Sequence, residues 1–335
     1  MKAIVFDRYG PPDVLHLAEV DTPRPDATQV LIKVHASSVS TADWRIRASA
    51  FPGILWLPGR LMMGLFKPKN PIPGVDFAGE VVGVGEAVTQ FAVGDRVFGF
   101  KGHGGNAEYL VIDQAAAIVR MPKGIGYDAA AALPFGGLSA LVFMRDVAKL
   151  RPGMEVLVIG ASGGVGVYAV QIARAMGTRV TGVCSAANAQ LVRDLGAEDV
   201  IDYQTEDATQ AGRQYDVVFD TIGAVTYAQA RRVLRSKGAF VPLNFGGRAI
   251  VQSLVAKVTG GPRLAIAVSG DTAKDLQELC RMVGDGQVRP VIDRSYSLAR
   301  VAEAHAYVQG RRRRGAVIVE VVTGDDTAAS VTPAL

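Results

Sequence analysis

From position 155 onward the chain alternates between two hydrophobic patterns. Short apolar runs at 156–159, 180–184, 200–201, 217–220, 239–243 and 264–268 have the length of buried parallel strands. Between them apolar residues recur at helical spacing, as in Val167, Val170, Ile172, Ala173 and Met176, with Gly177 where a helix would end. This alternation predicts a doubly wound parallel α/β sheet. A helix is expected near 272–283, a strand near 291–296, a helix over 299–309 and a last strand over 316–322. The first third reads as β-rich instead. Stretches 2–6, 14–20 and 29–36 alternate or run apolar, separated by Gly10-Pro11-Pro12 and Pro23-Arg24-Pro25. A helical turn at 44–48, strand and turn signals at 72–85, 94–99 and 107–112, and a return to helical periodicity at Asp128 follow. The tail from Thr323 is small and polar and is expected to fray.

A glycine cluster joins the first of the parallel strands to its helix. Gly160, Gly163 and Gly166 stand at Gly-x-x-Gly-x-x-Gly spacing, filled by Ala161, Ser162, Gly164 and Val165. A strand turning sharply into a helix exposes unpaired N–H groups at the positive end of the macrodipole, which favours an anion. Glycines allow the turn and let a pyrophosphate approach without meeting a Cβ. Alone such a string is weak; between a strand and a helix, with another strand following, it indicates a dinucleotide site.

The end of the next strand selects the nucleotide. An acidic residue about 20 positions past the glycines would bind the ribose hydroxyls of NAD. Here Cys184 and Ser185 stand there, and no carboxylate repels a 2′-phosphate. NADPH is therefore the expected cofactor. No Lys or Arg stands immediately there either, so NADH stays open, with Arg193 and Tyr203 the nearest contacts for a 2′-phosphate.

Composition narrows the picture. A chain of 335 residues suggests two domains, and 49% hydrophobic residues supply a sizeable core. The net charge of +4 is too small to imply nucleic acid. Two cysteines, Cys184 and Cys280, exclude a disulfide framework and a cysteine metal cluster. There is no secretory pattern at the start and no run of about 20 apolar residues, so a cytoplasmic protein without stable membrane insertion is expected.

Several stretches resemble the medium-chain dehydrogenase/reductase superfamily, and within it the zinc-independent quinone oxidoreductases and enoyl reductases. They are Met1-Lys2-Ala3 with Gly10-Pro11-Pro12-Asp13-Val14-Leu15, Pro73-Gly74-Val75-Asp76-Phe77-Ala78-Gly79 and Val93-Gly94-Asp95-Arg96-Val97. Leu133-Pro134, Gly137-Leu138-Ser139-Ala140, Leu195-Gly196-Ala197 and Val200-Ile201-Asp202-Tyr203 complete the set. The resemblance implies a Rossmann-type domain over 126–270 and a β-rich GroES-like catalytic domain from 1–125 and 271–335, with a homodimer as the expected assembly. It also implies that Ser139, Ile222, Leu243, Asn244, Phe245, Val268 and Ser269 neighbour the cofactor, with one arginine of the basic run 311–314, Arg313, reaching its phosphate.

Zinc-dependent relatives carry a cysteine where this chain has Ser40, and His-Glu where it has Val75-Asp76; Gly102 to Asn106 replace their cysteine lobe. Serine and valine supply no ligand that zinc requires. Without a Lewis acid, the resemblance implies hydride delivery from the nicotinamide to a quinone or to the β-carbon of an α,β-unsaturated carbonyl, with stabilisation of the developing oxyanion. Reduction of enoyl thioesters or of aldehydes and ketones is the alternative within enzymes; a non-catalytic, NADPH-binding structural or redox-sensing protein is the alternative outside them. Ser40, Asp43, Trp44 and Arg47 lie in the segment that faces the nicotinamide in relatives. Ser40 is a candidate hydrogen-bond donor. Arg47 either stabilises an oxyanion or pairs with Asp43 at i,i+4 spacing; no proton donor can be named.

Segment 51–65, rich in Leu and Met and interrupted by two Pro-Gly pairs, departs most from the resemblance. It reads either as a mobile apolar wall over the active site, favouring a bulky hydrophobic substrate, or as a packed excursion or subunit contact. Its few basic residues argue against a membrane-surface role. His16 and His35 fall in strand patterns; His103, in a glycine-rich loop, is a weak candidate for the cleft.

Overall fold

The computed structural model describes residues 1–321, except positions 52, 54, 55, 211 and 260 and the side chains of 248, 255 and 257–259. The polar tail from Thr323 and part of the 51–65 segment lie outside the described residues.

The parallel sheet is present. Strands Asp199–Asp202, Arg179–Cys184, Glu155–Ile159, Tyr215–Asp220, Leu234–Pro242 and Arg263–Leu264 lie side by side in that order, and each neighbouring pair is parallel. Numbered along the chain the order is 3-2-1-4-5-6. It reverses between Glu155–Ile159 and Tyr215–Asp220, and open sheets of this kind bind ligands in the crevice beyond that point. Successive residues of the first strand feed two cores, Val156 and Val158 one, Leu157 and Ile159 the other. Both faces are thus covered, which is why the strand reads as an unbroken apolar run.

The last strand is shorter than its apolar run suggests. It pairs only over Arg263–Leu264, with Ala265 N–H donating to Phe240 O, and Val268 is 84% exposed. Its neighbour ends at Pro242, which has no N–H to extend the ladder.

The other layer is a seven-stranded sheet. Ile292–Ser297, Ala316–Glu320, Gln29–Val39, Asp76–Val84, Arg96–Phe100 and Ile118–Arg120 follow in order, and Tyr109–Asp113 also pairs with Gln29–Val39. All pairs are antiparallel except Ile292–Ser297 with Ala316–Glu320. Gln29–Val39 is its spine. Val30, Ile32 and Val34 are buried by alternation. The strand runs past the expected end at Ala36 because its polar tip is bonded inside the fold: Ser37 Oγ donates to Asp76 O at 2.8 Å and Ser38 Oγ to Asp76 Oδ2 at 2.6 Å. Hydropathy does not register such residues as strand. The short strand Ile118–Arg120 also escaped the apolar pattern.

The two sheets share one core. Ala36, Ala78 and Phe98 from the antiparallel sheet cluster with Leu138 and Leu141 of helix Pro134–Val142 and with Val156 and Val158. Among the described residues no helix is long and apolar enough to cross a membrane.

Helix Gly166–Ala175 sits as close to the first strand as backbones allow. A Cβ on Gly166 would lie 2.0 Å from Gly160 O and 2.8 Å from Ala161 backbone atoms. Gly166→Ala is expected to lower unfolding stability by about 2–3 kcal/mol through forced backbone displacement, read as a fall in the urea midpoint at unchanged m.

Candidate functional site

The glycine turn lies at the point where strand order reverses. Gly160 has φ +77°, open to glycine but strained for other residues, and a Cβ there would meet Thr221 Oγ1 at 2.6 Å and Ile222 Cγ2 at 2.8 Å. Gly164 makes room for Arg313, whose Nη2 would lie 2.6 Å from an added Cβ. Gly163 is different: an added Cβ would meet only Gly160 O, at 3.2 Å. Ala161 and Val165 are buried beneath the turn, and Ser162 Oγ accepts from Asn188 Nδ2 at 3.1 Å. Gly160 and Gly166 are therefore required by the protein's own backbone, Gly164 leaves room for the Arg313 head group, and Gly163 meets the least of the four, at a helix N-terminus. This cradle fits a pyrophosphate.

Of the remaining expected cofactor neighbours, all but Ser139, Val268 and Ser269 lie at the C-terminal ends of the parallel strands. Cys184 is buried at the end of its strand, and burial pushes its thiol up to about 11. Ser185 follows half-buried, and Tyr203 is exposed one strand further out. Asp202 sits in register with Cys184 and accepts from Gln204 N–H at 3.1 Å. On the other side of the reversal, Ile222 follows a fully buried Asp220 whose carboxylate accepts from the N–H groups of Ile222, Gly223 and Val225 at 2.8–3.1 Å. Leu243, Asn244 and Phe245 follow the next strand, half-buried. Val268 and Ser269 lie beyond the edge strand, with Ser269 Oγ donating to Asp271 at 2.5 Å. Ser139 is half-buried in the helix whose Gly136 would bring a Cβ within 2.3 Å of Gly164 O.

Two contacts across the cleft were not visible in the motifs. Arg45 Nη2 donates to Asn244 Oδ1 at 2.5 Å, tying helix Thr41–Ala48 to the parallel sheet. Arg313 lies over the glycine turn, donating to Val39 O at 2.8 Å and Thr41 Oγ1 at 3.1 Å. Burial pulls its guanidinium down to about 10, opposed by Asp43, Asp76 and Asp293, so it stays charged at neutral pH. A signal existed for Asp220 in the Asp-Thr-Ile-Gly string that follows a strand, a sequence suited to a carboxylate-capped turn.

The expected catalytic trio is rearranged. Ser40 is the N-cap of Thr41–Ala48. Its hydroxyl accepts from Ala42 N–H at 3.1 Å and donates to Asp43 Oδ2 at 2.6 Å, in a capping box. Asp43 Oδ1 accepts from Gly74 N–H at 3.2 Å and Val75 N–H at 3.0 Å. Burial raises its pKa, against the bonds from Ser40, Val75 and Gly74 that lower it. Asp76 is raised well above the carboxylate range by burial; it accepts from Ser38 Oγ and, at 3.1 Å, from Phe135 N–H at the start of the inter-sheet helix. Asp43 thus binds the Gly74–Val75 loop to helix Thr41–Ala48 within its own layer, and Asp76 ties that layer to the inter-sheet helix.

Arg47 neither pairs with Asp43 nor faces the cleft. It is fully buried against helix Val301–Gln309, with Nη2 donating to Gln309 Oε1 at 2.7 Å, while Nε and Nη1 have no partner among the described residues. Asp43 is already bonded on both oxygens, so the i,i+4 spacing goes unused. Burial pulls the Arg47 guanidinium down to about 10, and it remains charged.

A pocket opens beside Asp43 and Gly74. Phe6, Tyr9, Ile46, Met63, Pro68 and His103 contribute to its lining. Burial pushes His103 down to about 4, with Lys101 adding to the shift, so its imidazole is neutral. His35, by contrast, stacks on Tyr127 with centroids 4.1 Å apart. Among the described residues no group of three or more His, Cys, Asp or Glu side chains could hold a metal ion.

Comparison with known proteins agrees with this architecture. Residues 26–123 match the alcohol dehydrogenase GroES-like domain, and 195–319 match a family described as zinc-binding dehydrogenase. The chain is 32% identical to the chloroplastic quinone-oxidoreductase QR1 of Triphysaria versicolor, over 96% of this chain and 98% of that protein. It is 32% identical to a chloroplastic NADPH-dependent alkenal/one oxidoreductase of Arabidopsis thaliana, over 95% of this chain and 79% of that protein. The solved quinone oxidoreductase of Coxiella burnetii superposes with a TM-score of 0.85 at 31% identity, covering 96% of this chain and 99% of that one.

The Arg47 cluster yields a pH prediction. Its neighbour His305 is fully buried with both ring nitrogens unpartnered among the described residues; burial, then the Arg47 charge, holds it down to about 3. The folded protein keeps it neutral while the unfolded chain takes up a proton near pH 6.5. Its contribution is therefore complete above pH 6.5 and is lost progressively as pH falls towards 3. Between pH 7 and 5 the loss is expected to reach about 2 kcal/mol, measured by urea unfolding, and His305→Leu is expected to flatten that part of the profile.

Proposed function

Because the chain belongs to the zinc-independent quinone oxidoreductase branch of the medium-chain dehydrogenase/reductase superfamily, and is an NAD(P)H-dependent oxidoreductase, we propose that it reduces quinones or activated carbon–carbon double bonds with NADPH. The observation that carries this reading is the Gly163 opening at the strand-order reversal, with a charged Arg313 against Gly164. The turn 160–166 and Arg313 hold the pyrophosphate. Ser139, Cys184, Ser185, Tyr203, Ile222, Leu243, Asn244, Phe245, Val268 and Ser269 border the rest of the nucleotide. The preference for NADPH is supported by Cys184-Ser185 at the second strand's end, where an NAD site places a carboxylate.

When bound, the nicotinamide supplies the hydride. The protein's own work is positioning and exclusion of water. Ser40 and Asp43 fix the loop Gly74–Val75 against helix Thr41–Ala48, and Arg45 and Arg313 hold that helix over the crevice. Their hydrogen bonds are committed inside the fold, so we assign Ser40 and Asp43 positioning roles, and Arg47 none in chemistry. The largely apolar lining beside Asp43 suits a small hydrophobic carbonyl or quinone, and the alkenal/one relative extends the class to enones. Residues 1–125 with 271–335, and 126–270, form the two domains of this scheme, in a cytoplasmic homodimer.

Following NADPH absorbance against quinones, enones, enoyl thioesters and aldehydes is expected to show turnover with the first two classes. Tight NADPH binding without turnover on any of them would replace this reading with a non-catalytic one. Gly163→Val has no protein neighbour to displace beyond Gly160 O. It is expected to weaken NADPH at least about tenfold, roughly 1.4 kcal/mol, while melting within a few degrees of the parent, measured by calorimetry on both.

A further inference from the structure

Helix Trp56–Met63 and the turn after it hold large apolar side chains away from the core. Phe66 is 87% exposed, Met62 65% and Leu61 57%, and Trp56, Leu57 and Leu65 join them. The tip is built into the fold. Tyr9 OH donates to Met63 O at 3.0 Å or Gly64 O at 2.8 Å, and the Arg60 guanidinium lies 4.0 Å above the Tyr9 ring. Gly64 turns the chain at φ +119°, where a Cβ would collide with Lys67 O. The apolar side chains are thus presented outward by a fixed scaffold. A contiguous apolar patch of this kind marks a contact surface.

Charge selects the occupant. From 44 to 75 the chain carries no carboxylate, while Arg60, Lys67 and Lys69 flank the apolar tip, the two lysines exposed. Counting along 51–65 finds Arg60 alone; the turn after the helix brings in the other two cations. A tryptophan and leucines beside lysines whose stems can lie along an apolar surface form an interfacial pattern. Basic residues beside it add attraction to anionic lipid.

We propose that this tip docks the protein on a membrane surface bearing anionic lipid. Met63 and Pro68, adjoining the exposed Met62 and Lys67, line the pocket beside Asp43. Docking therefore sets the pocket's mouth at the bilayer, where a lipophilic quinone partitions; this second part rests on the function proposed above.

The test is flotation of the full chain with phosphatidylcholine vesicles, with and without about one third phosphatidylserine. Binding to the anionic vesicles is expected, released by salt and accompanied by a blue shift of Trp56 fluorescence. The double variant Leu61→Glu, Phe66→Glu changes exposed positions outside the pocket lining. It is expected to bind at least tenfold more weakly, keep its turnover of a water-soluble quinone and lose that of a long-chain quinone held in vesicles. Wild-type protein remaining in the aqueous fraction at low salt, or a double variant binding like the parent, would overturn the proposal. So would a patch covered by a second copy, seen as a dimer that the double variant splits while vesicles go unbound. Vesicle binding with no quinone turnover by either form would uphold docking and refute the function reading instead.

Discussion

The two sheets are held in register by a polar seam, and Arg313 stands at its centre. Its half-buried guanidinium meets the glycine turn of one layer and the backbone and hydroxyl groups at the start of Thr41–Ala48 in the other. A cation in that position must be bonded or balanced, because desolvation of an unpaired charge costs several kcal/mol. Val39 O and Thr41 Oγ1 supply the bonds, and the nearby Asp43, Asp76 and Asp293 oppose the effect of desolvation. Asp43 and Asp76, in turn, cap backbone N–H groups that would otherwise be left unpaired at Gly74, Val75 and Phe135. The seam gives the crevice its geometry, since apolar packing alone fixes distance between layers but little of their relative rotation.

Seen from this seam, the residues around the site divide by what they already bond. Ser40 and Asp43 satisfy one another and the Gly74–Val75 loop, and so serve as a hinge pin for helix Thr41–Ala48. Arg47, one turn further along the same short helix, is spent against Gln309. The helix therefore presents Arg45, not Arg47, to the parallel sheet, where it reaches Asn244.

Much of the fold was legible because its signals are local. Strand 155–159 feeds alternate residues to cores on both faces, which forces an unbroken apolar run. Gly166 and Gly160 are demanded by a close approach and a positive φ, so their spacing survives in the sequence as a pattern. The strand end at Pro242 was equally local, yet the run 264–268 read as strand, because an edge strand's length depends on its neighbour's donors. Similarly, Ser37 and Ser38 read as loop until Asp76 is seen to accept from them.

What the chain alone determined was the class of the molecule: a parallel sheet with a phosphate-fitting turn, a β-rich partner, and no residues suited to zinc at Ser40 and Val75. The sheet, the turn and the β-rich partner follow from periodicity and residue chemistry, which act over a few positions; that Ser40 and Val75 stand where zinc ligands would follows from the family resemblance. Only the tertiary structure decided which polar groups were free. Whether Arg47 meets Asp43 or Gln309, whether Gly163 or Gly164 faces open space, and whether the leucines of 56–65 turn inward or outward depend on groups up to 262 positions apart. A hydrogen bond or a clash at that range leaves no mark in local spacing, since it is set by how two layers settle together.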